Sequence, residues 1–231
     1  MQPLLLIPGL LCDETLWREQ IESLEDNVEI IVADVSRRES IRGLADDVLQ
    51  TAPERFCLAG FSLGSQVALE ITRIARERIE KLALLSATNH GLLPRVRAAL
   101  QRAISMIEQG EFERYVEESY TSYVHPSRVN DALLKRTFTE MARAIGPEAG
   151  LRQMRALLSI TSPFTGLDQI DCPTAIIGGQ QDQRTTPAAH EELAREIRRS
   201  VLTIIEDSGH FTPLEQPRQV TEAMRLWLSQ N

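Results

Sequence analysis

A serine with glycines two residues to either side, Gly60-Phe61-Ser62-Leu63-Gly64, follows the apolar run 55–59 and precedes a helix-like stretch, 66–75. A G-x-S-x-G pentapeptide at a sharp strand-to-helix turn strains the serine backbone and points its hydroxyl out of the protein. The glycines let strand and helix approach without Cβ clashes. The Leu63 amide, at the first turn of the helix, could meet a developing oxyanion. The bland reading is a glycine turn with a capping serine, and the pentapeptide alone does not choose between the two.

A serine hydroxyl needs a base, and the base needs an orienting carboxylate. The chain has four histidines, His90, His125, His190 and His210. Only His210 combines a loop beyond a strand-like run (201–205), a flanking glycine and a late position. The acid then falls between Ser62 and His210, in the order that accompanies this pentapeptide. Asp182 fits, because it follows the apolar run 174–177 and the turn Gly178-Gly179-Gln180-Gln181. Asp207 is its rival, but the turn Asp207-Ser208-Gly209 suits a residue that bonds its own backbone. Ser62, Asp182 and His210 would stand at the carboxyl ends of three strands, where open parallel sheets bind ligands.

The elements that must hold them are legible. Strands are expected near 4–7, 29–33, 56–59, 82–85, 174–177 and 201–205, each short, apolar and barely alternating, as strands are when helices cover both faces. Helices are expected at 41–50, 65–76, 188–198 and 218–229. The fold class is therefore α/β, a mostly parallel sheet of about six to seven strands with right-handed crossovers. Residues 93–159 break the rhythm with helix-like stretches separated by Gly110, Pro126 and Gly146-Pro147, so residues 91–162 are read as a helical cap inserted into a core of 1–90 and 163–231.

These landmarks together resemble the α/β-hydrolase superfamily, in its branch of small carboxylesterase-like serine hydrolases with a helical cap. The segment Leu4-Leu5-Leu6-Ile7-Pro8-Gly9-Leu10-Leu11 resembles the family's oxyanion strand and loop, with Trp17 a matching aromatic shortly after. Residues 40–48 resemble the helix before the nucleophile strand, Gly178 to Asp182 the G-x-x-D acid loop, and Gly209-His210 with Glu215 and Pro217 the G-H-x-x-x-x-E-x-P ending. The resemblance implies Ser62 as nucleophile, His210 as general base and acid, Asp182 as orienting carboxylate, and the amides of Leu10 and Leu63 as oxyanion donors. Pro8 stands where many relatives carry a histidine, which leaves Leu11 as a possible substitute donor. Relatives usually begin with an antiparallel hairpin that this chain lacks, implying a trimmed sheet with a more exposed edge at its start.

Composition narrows the function. With 231 residues, 42% of them hydrophobic, one domain with a substantial core is expected. A net charge of −8 argues against nucleic acid, which needs a basic face. Cys12, Cys57 and Cys172 are odd in number and far apart, as free thiols of a reducing compartment would be. Cys12 reads as a small loop residue rather than a nucleophile. No metal-ligand spacing and no dinucleotide or Walker fingerprint is present, so neither a metal nor a cofactor is expected. The apolar start lacks a preceding positive charge and a small residue before Cys12, so it reads as a buried strand rather than a leader, and no run reaches transmembrane length. The expected protein is cytoplasmic, acts on a small molecule and binds neither membrane nor nucleic acid, with a homodimer left open.

Substrate choice should lie in the cap, whose residues Ile104, Ile107, Phe112, Tyr115, Phe138, Met141, Met154 and Leu157 recur at helical spacing. Arg152 and Arg155 share a helical face that either clamps a carboxylate or is simply solvated. His90 lies in a loop that could line the pocket. The expected activity is hydrolysis of small esters, thioesters or lactones through an acyl-enzyme. The alternatives are a carbon–carbon cleavage or elimination by the same triad, or a low-turnover receptor.

Overall fold

The structure, a computed structural model, describes residues 2–230. Six strands form one sheet: β1 (Leu4–Ile7), β2 (Ile30–Val32), β3 (Phe56–Phe61), β4 (Ile79–Leu85), β5 (Thr174–Gly179) and β6 (Ser200–Ile205). Their spatial order is β2-β1-β3-β4-β5-β6, and every pairing is parallel. The expectation of six to seven mostly parallel strands thus resolves to six, all parallel. The central strands are largely apolar because both their faces are covered; every residue of β1, β3 and β5 is buried.

The exposed edge expected at the first strand is not there. Strand β1 lies inside the sheet between β2 and β3. The edge on that side is β2, only three residues long and half-buried throughout. A short edge offers few unpaired backbone groups to another chain.

Helices α2 (Ile41–Thr51), α3 (Leu63–Ala75), α7 (Pro187–Glu196) and α9 (Pro217–Ser229) occupy the crossovers and the carboxyl end. Local chemistry starts them. Ser40 accepts from the Gly43 amide, Thr186 from the Ala189 amide, and proline opens α7 and α9. The sequence reading passes over a 3-10 turn at Glu14–Trp17 and the helix that follows, α1 (Arg18–Leu24). Seven residues with two apolar side chains give no periodic signal. Tertiary contacts hold α1 in place: Gln20 Nε2 donates to Pro217 O and Thr221 Oγ1 of α9, at 3.1 and 3.2 Å.

Between β4 and β5 the chain forms only helices: α4 (Pro94–Glu108), α5 (Phe112–Ser119), short 3-10 turns, and α6 (Ala132–Leu158). Gly146, at φ 78°, breaks α6 just before Pro147. These helices pack on one another, and α6 also reaches α2 and the Glu14–Trp17 turn. One continuous apolar core runs through sheet and cap alike. After β6 comes a single turn, α8 (Thr212–Glu215). Among the described residues no helix is long and apolar enough to cross a membrane.

Candidate active site

Ser62 sits where β3 passes directly into α3, at φ 53° and ψ −109°. Left-handed backbone is costly for a residue with a Cβ, and the surroundings must impose it. Two devices do so. Ser65 donates to both Gly60 O and Leu85 O, at 2.6 and 2.9 Å, tying the turn to the ends of β3 and β4. Glycine supplies the other, since a Cβ on Gly60 would lie 2.3 Å from Gly64 O and one on Gly64 2.2 Å from Ile7 O. Backbone cannot yield as a side chain tip can. Gly64→Ala should therefore cost about 4 kcal/mol or more, or prevent soluble folding, as read from urea unfolding and yield.

The three side chains scattered through the sequence converge. His210 Nε2 lies 2.9 Å from Ser62 Oγ, and His210 Nδ1 lies 2.7 Å from Asp182 Oδ2. Asp182 and His210 are 3% and 2% exposed, so their contact is shielded from water. Asp182 Oδ1 also accepts from the amides of Arg184 and Thr185, and Oδ2 accepts from Thr185 Oγ1. Burial by itself would push this carboxyl up. The His210 charge and the hydrogen bonds from His210 and Thr185 outweigh it and bring the pKa down to about 2. Thr185 escapes the sequence reading, although D-x-x-T is a recognisable turn in which a carboxylate accepts downstream amides.

The histidine loop is fixed from several sides. Tyr123 O accepts from the His210 and Phe211 amides, at 2.7 and 3.2 Å, so a residue of the helical segment between β4 and β5 holds the His210 loop. Ser86 Oγ donates to His210 O at 2.8 Å. The rings of Phe61 and Tyr123 lie 5.3 and 5.7 Å from the imidazole, centre to centre. Glu215 accepts from the amides of Gly209 and His125, at 2.9 and 2.6 Å, joining the same loop to the cap again. Burial pushes Glu215 up to about 7, against the pull of those two donors and of Arg128.

At the amino-terminal loop, Leu11 takes φ 56° and its amide donates to Gln153 Oε1 of α6, at 2.9 Å. That occupies the candidate substitute donor. The amides of Leu10 and Leu63 have no acceptor among the described residues. Gln153 is wholly buried, and its Nε2 donates to Val35 O. Gln153→Leu should cost about 1–3 kcal/mol in urea unfolding, because it strands a buried amide at the loop.

A cavity of about 400 Å³ opens beside Ser62 and His210. Its apolar wall comes from Leu92, Val96, Ala99 and Leu100, at and before the start of α4, together with Leu157 and Ile160. Of the cap residues picked out by periodicity, only Leu157 lines it, because Ile107, Phe112, Phe138, Met141 and Met154 pack into the core. His90 reaches the rim and is engaged by Glu192. Arg152 and Arg155 do not form a clamp there. The first donates to Ser36 O and the second pairs with Glu39 and Glu108. Asp207 is a turn residue at φ 51° whose carbonyl accepts from Arg128 and Gln216. Cys12 is buried, its thiol pushed far up by desolvation. Among the described residues no group of three or more His, Cys, Asp or Glu could hold a metal.

A parallel sheet with a strained serine elbow, beside a histidine and a carboxylate from two later strand ends, defines a class of enzymes. The chain belongs to the alpha/beta hydrolase family, whose model matches residues 4–223. It is similar to the (E)-2-((N-methylformamido)methylene)succinate hydrolase of Acinetobacter baylyi, at 22% identity over 98% of this chain and 90% of the relative. A thermophilic esterase from Thermogutta terrifontis superposes with a TM-score of 0.86 at 26% identity, covering 99% of this chain and 89% of that one. The enol-lactonase from Burkholderia xenovorans shares the fold, with a TM-score of 0.87 at 17% identity over 100% and 92% of the two chains. The chain is an enzyme of this family, with esterases and hydrolases among its relatives.

Proposed function

We propose that the chain is a serine hydrolase acting on small carboxylic esters, thioesters or lactones through an acyl-enzyme. One observation carries the reading: a hydroxyl, an imidazole and a buried carboxylate stand in series, at 2.9 and 2.7 Å. In this reading Ser62 attacks the acyl carbon while His210 Nε2 takes its proton. Asp182 holds Nδ1–H and stabilises the imidazolium that forms. The tetrahedral oxyanion is met by the amides of Leu10 and Leu63, which no protein acceptor occupies. His210 returns the proton to the leaving group, then activates the water that releases the acid. The cavity beside the serine suits a small to medium substrate. The names of the relatives, a hydrolase and an esterase, point to the same bond-cleaving chemistry. The test is a stopped-flow trace with 4-nitrophenyl acetate together with a fluorophosphonate probe. A burst of one equivalent and a label on Ser62 support the reading. Neither burst nor label would sink it.

A further inference from the structure

The cavity beside Ser62 has an unusual charge inventory for so acidic a chain. None of the residues lining it is Asp or Glu, although the chain carries 33 of them. Two arginines, Arg95 and Arg184, do line it. Neither has a carboxylate within ion-pairing distance among the described residues; of the other cap arginines, Arg114, Arg128, Arg143 and Arg155 are paired, and Arg97, Arg102, Arg136 and Arg152 are not. Glu192, which reaches His90 at the rim, is engaged by it.

Both arginines are exposed, and Arg184 is held in place by side-chain contacts. Arg184 follows the catalytic acid by two residues. Its guanidinium lies over the Tyr123 ring, 4.2 Å from the centroid, and Nη1 donates to Ser122 Oγ at 3.3 Å. Stacking on an aromatic fixes the plane of the fork while leaving its other N–H groups free. Arg95 is in the first turn of α4, where no acidic residue accompanies it. A cation there opposes the helix dipole, and no local partner offsets that. One comes from the cap and the other from the loop after β5.

We propose that the substrate carries a free carboxylate, which Arg95 and Arg184 bind while the scissile acyl group lies at Ser62. This rests on the hydrolase reading above and names the substrate class within it. A guanidinium fork matches a carboxylate edge, and no carboxylate of the protein lines the cavity to compete for it.

Two ester pairs test this, each a carboxylate against its neutral partner. Mono-4-nitrophenyl adipate against its methyl-capped form places the charge on the acyl side. 4-Acetoxybenzoate against 4-acetoxybenzamide places it on the alcohol side. In at least one pair kcat/KM should favour the carboxylate by about tenfold or more, chiefly through KM. That ratio should shrink as salt rises, and collapse in Arg95→Gln/Arg184→Gln. If both pairs are cleaved without preference, or the preference survives in the double variant, the proposal is overturned and the hydrolase reading stands. Equal losses on both members of a pair would also overturn it, since they would mean that the arginines only brace the cap. If no ester is cleaved and the fluorophosphonate leaves Ser62 unlabelled, the hydrolase reading itself fails.

Discussion

Ser62→Ala is expected to lower kcat for 4-nitrophenyl acetate by a factor on the order of 10⁵ to 10⁶, with the fold unchanged. The size of the effect follows from removing the attacking atom. His210 then has nothing to deprotonate except water, and the Leu10 and Leu63 amides can stabilise only a water-derived oxyanion. The fold should survive because the Ser62 hydroxyl makes a single hydrogen bond among the described residues, the one to His210 Nε2. The left-handed backbone at this position is imposed by Ser65 and the two glycines, and alanine carries a Cβ no larger than that of serine. Circular dichroism and a urea unfolding curve matching those of the parent chain would show that the loss is chemical. Hydrolysis at the parent rate would rule out the serine as nucleophile.

Asp182→Asn comes next, with an expected loss in kcat of about 10⁴-fold. The amides of Arg184 and Thr185 donate to one carboxylate oxygen, so the asparagine must place its carbonyl there and turn its NH₂ toward His210. An NH₂ cannot accept from Nδ1–H. The imidazole is then driven to the tautomer with its proton on Nε2, and the base facing Ser62 is lost. Stability carries a second signature. The folded pKa of Asp182, about 2, lies below its ordinary value of 3.8, so the charged carboxylate contributes stability that is complete above about pH 4. That contribution is lost as pH falls through about 2. The gap in unfolding free energy between parent and Asp182→Asn should therefore be widest near neutrality and close on the acid side. A gap that stays constant down to pH 2 would mean that the carboxylate is not held in its charged form by His210.

What could be read from the bare chain depended on how locally each feature is encoded. Strand positions came through because burial on both faces writes itself as short unbroken apolar runs, and β1 and the starts of β3 and β5 lie where those runs are. The elbow was legible because its geometry is dictated by glycines within two residues of Ser62. Asp182 and His210 were legible because each follows a strand by a few residues in a turn, even though 148 positions separate His210 from the serine it meets.

Other features depend on contacts with no local trace. Gln153 looks like any polar helix residue, and only the docking of α6 against the Leu10–Leu11 loop makes it the acceptor for the Leu11 amide, 142 positions away. Tyr123 supports His210 through a backbone carbonyl, which every residue type possesses. Arg95 and Arg184 were indistinguishable from surface charge, while Arg152 and Arg155, which helical spacing singled out, turned to partners outside the cavity. A periodic pattern reports which face of an element is buried. It is silent on what that face will meet, because the meeting is settled by the packing of elements far apart along the chain.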